Sequence, residues 1–162
     1  MKNGEFIKVK DVECLVLDII DGNPFVIALD TKIKTPYNNN KHTNYHNSML
    51  EKTINDWFER LDITAVTRTL DLTTMDGSKY YGTLEVKAAP LTFDEWRKYA
   101  EIIIPNIKNW IWLATAWTNP RSEGWYTGCV CSVNMVGNTD FNTYDDIILI
   151  APAFILDKTC LI

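Results

Sequence analysis

The sequence predicts an α+β fold, with two helices packed on a twisted antiparallel sheet. Three observations predict it. Two helix starts of the Ser/Thr-x-x-Glu type, Ser48 to Glu51 and Thr92 to Glu95, each precede an apolar stripe at helical spacing. Turn signals such as Asp21-Gly22-Asn23-Pro24 and Gly137-Asn138-Thr139-Asp140 bound short apolar runs. Strands occupy both ends of the chain with the helices segregated between them, an order that fits α+β and not a parallel α/β sheet.

Residues 5–30 read as antiparallel strands. Val12, Cys14 and Val16 alternate with Glu13, Leu15 and Leu17, and Phe25 to Leu29 lies across the Asp21–Pro24 turn as the second arm of a hairpin. Thr35 to Asn47, with Pro36 and five asparagines, reads as loop. The first helix runs from the Ser48 cap to about Leu61 and buries Leu50, Ile54, Trp57, Phe58 and Leu61. Ile63 to Thr74 and Tyr80 to Ala88 are extended, with a turn at Met75-Asp76-Gly77-Ser78 between them. The second helix spans about Phe93 to Ile103, buries Phe93, Trp96, Tyr99, Ala100 and Ile103, and ends at Pro105.

From Trp110 the period becomes two. Trp110, Trp112 and Ala114 share one face and Ile111, Leu113 and Thr115 the other; both are largely apolar, which predicts a central strand covered on both sides. Trp117 to Gly124 reads as loop, Trp125 to Met135 as strand, Asn142 to Asp146 as polar loop, and Ile147 to Leu156 as one final strand. There is no internal repeat and no linker, so residues 1–162 are expected to form a single domain.

Length and composition bound the function. At 162 residues the chain is large enough to bury a core without disulfides or metal. Its 46% apolar and 23% charged residues are globular values. A formal charge of -5 argues against direct binding of nucleic acid, which favours a basic stripe. No window is long and apolar enough for a membrane span or a signal peptide, so no membrane association and no signal peptide are expected. Cys160 is third from the end, one place off a prenylation box. Cys14, Cys129, Cys131 and Cys160 show no C-x-x-C pair and read as free thiols.

Chemistry-bearing motifs are missing. There is no phosphate loop, no dinucleotide fingerprint and no nucleophile elbow. The histidines, His42 and His46, sit in the Asn-rich loop, and the acids Glu123, Asp140, Asp145 and Asp146 read as solvated loop charges. The expectation is therefore no enzyme, no catalytic residue, no metal and no cofactor. Binding remains. Trp117, Asn119, Arg121, Trp125 and Tyr126 lie in or beside one loop, and rigid aromatics beside Asn and Arg suit recognition. Asn142 and Tyr144 join them if the last loop lies at the same end of the sheet. The competing reading folds Trp117 and Trp125 inward as loop anchors.

Four segments resemble a family of small domains of unknown function from bacteriophages and Gram-positive bacteria. They are Tyr45-His46-Asn47-Ser48-Met49-Leu50 leading to Trp57, then Leu91-Thr92-Phe93-Asp94-Glu95-Trp96, then Trp112-Leu113-Ala114-Thr115, and finally Pro152-Ala153-Phe154-Ile155-Leu156. Relatives carry arginines where this chain has Ala114 and Ala151, so no role of those arginines transfers. The resemblance implies a C-type-lectin-like architecture in which the terminal strand pairs back toward the first and late loops form a ligand face. The calcium-dependent Glu–Pro–Asn sugar motif of that architecture is not matched, because Thr118-Asn119-Pro120 lacks the glutamate, and Cys129 and Cys131 do not match the paired cysteines of its formylglycine-generating members.

The expected function is a recognition domain of phage origin, in a virion or its adsorption apparatus, with a protein or glycan as ligand. Two alternatives stay open: a small acidic anti-CRISPR-type inhibitor of a host nuclease, and a structural or decoration subunit that assembles with itself or other virion proteins. The expected location is accordingly the virion or the host cytoplasm.

Overall fold

Strand β1 (Phe6–Val9) and strand β2 (Val12–Ile20) form the first hairpin, and β3 (Asn23–Ile27) returns along β2. The turn between β2 and β3 is Asp21-Gly22, with φ of 50° and 81°. Both angles are left-handed, the geometry that matches strand twist in a two-residue hairpin turn, and Gly22 adopts it without a Cβ clash. The structure, a computed structural model, describes residues 1–118, 128–134 and 137–161.

A short strand β4 (Lys34–Thr35) follows, and then the Asn-rich segment. That segment is not merely surface loop, because Tyr37 and Tyr45 within it are 0% and 1% exposed. Helix α1 (Met49–Leu61) starts as expected: Ser48 Oγ accepts the Glu51 N–H at 3.0 Å. Glu51 reaches back to the N–H of Asn47 at 3.0 Å, because the Ser48 N–H already donates to the Tyr45 carbonyl. The extended pieces become β5 (Ala65–Val66), β6 (Arg68–Asp71), β7 (Thr83–Val86) and β8 (Ala88–Ala89). Helix α2 (Phe93–Ile103) carries a complete reciprocal capping box between Thr92 and Glu95. The late strands are β9 (Ile111–Ala116), β10 (Cys129–Val133), β11 (Thr139–Thr143), β12 (Ile148–Leu149) and β13 (Ala153–Leu156), followed by a 3-10 turn at Lys158–Leu161.

Among the described residues these strands build three sheets. One runs β1-β2-β3-β13-β5, with β8 also paired to β13; a second runs β11-β10-β9-β12-β4; β6 and β7 form a separate hairpin. The β12–β9 pair is parallel, and the other pairings are antiparallel. The final strand β13 joins the N-terminal sheet through β3.

Side-chain alternation places two cores on opposite faces of these strands. Cys14 and Val16, Trp112 and Ala114, Phe154 and Leu156 enter one core with α1; Leu15 and Leu17, Ile111 and Leu113, Ala153 and Ile155 enter the other with α2. All six residues of β9 are buried, as expected of a strand covered on both sides. Trp57 and Trp96 are 6% and 3% exposed and belong to the cores as expected. Among the described residues no helix is long and apolar enough to cross a membrane.

Three expectations are corrected, and a fourth falls partly outside the described residues. Trp110 was assigned to the buried face of the central strand, but β9 begins one residue later and Trp110 is 39% exposed. Thr139-Asp140 was assigned to a turn and Asn142 to a loop; β10 recruits Thr139–Thr143 as an edge strand, since backbone pairing does not require apolar side chains. Ile147–Leu156 is not one strand. It divides at Ile150-Ala151-Pro152, so that β12 pairs in the second sheet and β13 in the first. The strand expected from Trp125 is present from Cys129 to Val133, while Trp125, Tyr126 and Met135 lie outside the described residues.

Candidate functional site

Of the residues assigned to recognition, Asn119, Arg121, Trp125 and Tyr126 lie outside the described residues. Trp117, Asn142 and Tyr144 are described, and they do not share one surface. Trp117 leaves β9 with its N–H donated to the Cys129 carbonyl at 3.0 Å and its own carbonyl accepting from Asp76 N at 3.2 Å. Its ring lies 5.2 Å from that of Phe141 and packs against the core that contains Leu113. Trp117 is therefore a half-buried anchor, the inward alternative. Asn142 is opposite Val130 in the β10–β11 ladder, and Val130 enters the other core, so Asn142 lies on the other face of that sheet from Trp117. Tyr144 is half-buried; its N–H donates to the Gly128 carbonyl at 2.8 Å and its carbonyl accepts from Asn38 N at 3.0 Å.

Asn142 belongs instead to a groove of about 300 Å³ that the sequence did not reveal. Its walls include Lys34, Asn109, Trp110, Asn142, Asp146 and Ile147. Each is placed by a specific local cause. Trp110 stands at the mouth of β9, where the chain turns out of the sheet after the polar pair Lys108-Asn109. Lys34 sits on β4, which is fixed by pairing with β12 and by the Trp112 indole donating Nε1–H to the Thr35 carbonyl at 2.9 Å. Trp112 is itself locked by Tyr37, whose ring meets it edge-on at 5.6 Å.

The polar wall is preorganised. Ser132 Oγ donates to Asn142 Oδ1 at 2.5 Å, and Asn142 Nδ2 donates to Asp146 Oδ2 at 3.1 Å. Asp146 Oδ2 also accepts the Thr143 N–H at 3.0 Å, which closes the turn out of β11. The Asn142 amide is thus held from both sides, and one of its N–H groups is left over after these bonds. Trp110 at 39% and Ile147 at 67% exposed supply the apolar part. Lys34 forms no ion pair among the described residues.

A second, larger cavity of about 520 Å³ adjoins it, and Asn109 lines both. Its walls include Phe6, Leu29, Trp57, Asn106 and Lys108.

The groove thus combines an exposed ring, a braced amide and a carboxylate. Burial pushes the Cys14 and Cys131 thiols up to about 12, which keeps them protonated and unreactive at neutral pH. His46 pairs with Glu51 at 3.4 Å at the α1 N-terminus, outside both cavities. Among the described residues no three His, Cys, Asp or Glu side chains are grouped to hold a metal ion. Comparison of the chain with models of protein families, with curated proteins and with solved structures found no match.

Proposed function

We propose that this chain is a recognition domain that binds a glycan in the groove at Trp110. The observation that carries the reading is an exposed indole beside a braced amide. Trp110 borders a groove of about 300 Å³, a volume at the lower end of ligand sites, together with Asn109, Asn142 and Asp146. The negative face of an aromatic ring attracts the polarised C–H groups of a sugar ring. Amides and carboxylates read the hydroxyls at its rim, and a braced Asn142 loses little rotamer freedom when it does so. The resemblance to phage-associated domains supports a setting on a virion or in its adsorption apparatus, where surface polysaccharide is the substrate at hand.

The test is a glycan array probed with the parent protein and with Trp110→Ala. Trp110 lies outside both cores, so the variant keeps its fold while its affinity for the bound glycans drops about tenfold, or ~1.4 kcal/mol. Retention of every array signal by Trp110→Ala, or failure of the parent to bind any printed glycan, contradicts the reading.

A further inference from the structure

The residues Pro105, Asn106, Lys108 and Asn109 line the 520 Å³ cavity, and Asn109 with Trp110 lines the 300 Å³ groove. One short segment therefore serves as a wall for both spaces. An exposed aromatic borders each: Trp110 at 39% on one side, Phe6 at 46% on the other. Asn106, Lys108 and Asn109 supply polar side chains to the wall of the larger cavity, with Asn106 Nδ2 donating to the Ile102 carbonyl at 2.9 Å. We infer that the two spaces are halves of one cleft that takes a linear oligosaccharide of several residues, with one sugar against Trp110 and a later one against Phe6.

This inference rests on the glycan reading of the Trp110 groove and specifies the length of the ligand. Three features point to an extended chain. The smaller groove is at the lower end of ligand-site volume, while the adjoining cavity is well inside that range. An exposed aromatic beside each space, with the Asn109 amide on the wall they share, matches the alternation of a polysaccharide, whose apolar ring faces recur along the chain with hydroxyls between them. Phe6 is also poorly used by the fold: it lies on the edge strand β1, while its neighbours Ile7 and Val9 make the core contacts of that strand. The second half of the cleft is the more acidic, with Asp11, Glu13 and Asp30 in its walls against Lys108. It therefore favours neutral or amino sugars over uronic acids at that end.

The experiment uses an array printed with linear glucan, chitin-type, galactan and rhamnan oligosaccharides, from single sugars to octamers. Calorimetric titration of a bound series then follows with the parent, Phe6→Ala and Lys108→Ala. Affinity for the parent rises about tenfold or more from the shortest bound member to the longest. Phe6→Ala removes that rise and leaves the shortest member's affinity unchanged, and Lys108→Ala reduces the rise. Both positions are surface sites, and an unchanged near-ultraviolet circular dichroism spectrum verifies the fold. Equal affinity across lengths, or an equal loss for short and long members in Phe6→Ala, overturns the extended cleft while leaving the Trp110 groove standing. Binding of the shortest member that survives Trp110→Ala, or no binding of any series, overturns the glycan reading itself.

Discussion

Tyr37 and Tyr45 are both buried in the first core, and only one has its hydroxyl satisfied. Tyr37 Oη donates to the Ala114 carbonyl at 3.0 Å, while Tyr45 Oη has no hydrogen-bond partner among the described residues. Burial raises the pKa of both phenols, so both stay neutral. Removing a partnered hydroxyl orphans an acceptor, whereas removing an unpartnered one relieves a desolvation cost. Tyr37→Phe is expected to cost about 1–2 kcal/mol in urea unfolding and Tyr45→Phe to be neutral or stabilising. Equal losses in the two variants would contradict this assignment. Neither residue was legible as core, because each is embedded in a stretch of asparagines and its polar neighbours dominate the local pattern. Arg68 was hidden for a different reason. It sits at 8% exposure in an extended Thr- and Leu-rich segment, and its Nη1 donates to both Glu95 carboxylate oxygens at 2.8 and 2.6 Å. Such a fork joins β6 to the start of α2, and no short-range spacing announces a pair 27 residues apart.

At the level of elements, locally encoded features were the legible ones. Both helix starts and the Asp21-Gly22 turn depend on contacts within a few residues, so spacing alone identified them. Strand β11 was missed because Thr139-Asp140-Phe141-Asn142-Thr143 has no apolar alternation; its existence depends on β10 offering a backbone to pair with. As an edge strand, β11 is protected by its own acids. The Phe141 N–H donates to Asp140 Oδ1 at 2.8 Å and the Thr143 N–H to Asp146 Oδ2 at 3.0 Å. Both N–H groups point away from β10, because the Tyr144 N–H, one residue on, is the one donated to Gly128. Inward or capping charges are a recognised way to keep edges from pairing with other chains. Asp140→Ala is expected to increase concentration-dependent self-association in sedimentation velocity, relative to both the parent and the charge-matched Asp145→Ala. Identical sedimentation of all three proteins would exclude an edge-capping role for Asp140.

For the whole molecule, the α+β class and the two-faced central strand followed from sequence, while the division of the chain between two sheets did not. The run Ile147–Leu156 is continuously apolar, and such a run carries no mark of where it changes partners. The break at Ile150–Pro152 lets one strand pair with β9 and the next with β3, so both sheets are shared by two cores with one helix on each face. That arrangement consumes Trp57, Trp96 and Trp112, half-buries Trp117, and leaves Trp110 at the mouth of the second sheet. The candidate site was illegible because a period-two pattern does not show where a strand stops, and a one-residue difference turns a core tryptophan into an exposed one. The six tryptophans also provide the most direct test. In a ¹⁵N-labelled sample each indole N–H gives its own resonance, assignable by single Trp→Phe variants. Titration with an oligosaccharide retained on the array should shift the Trp110 indole and leave those of Trp96 and Trp112 in place. A shift confined to Trp117 or Trp125, with Trp110 unmoved, would contradict the account and return recognition to the loop after β9.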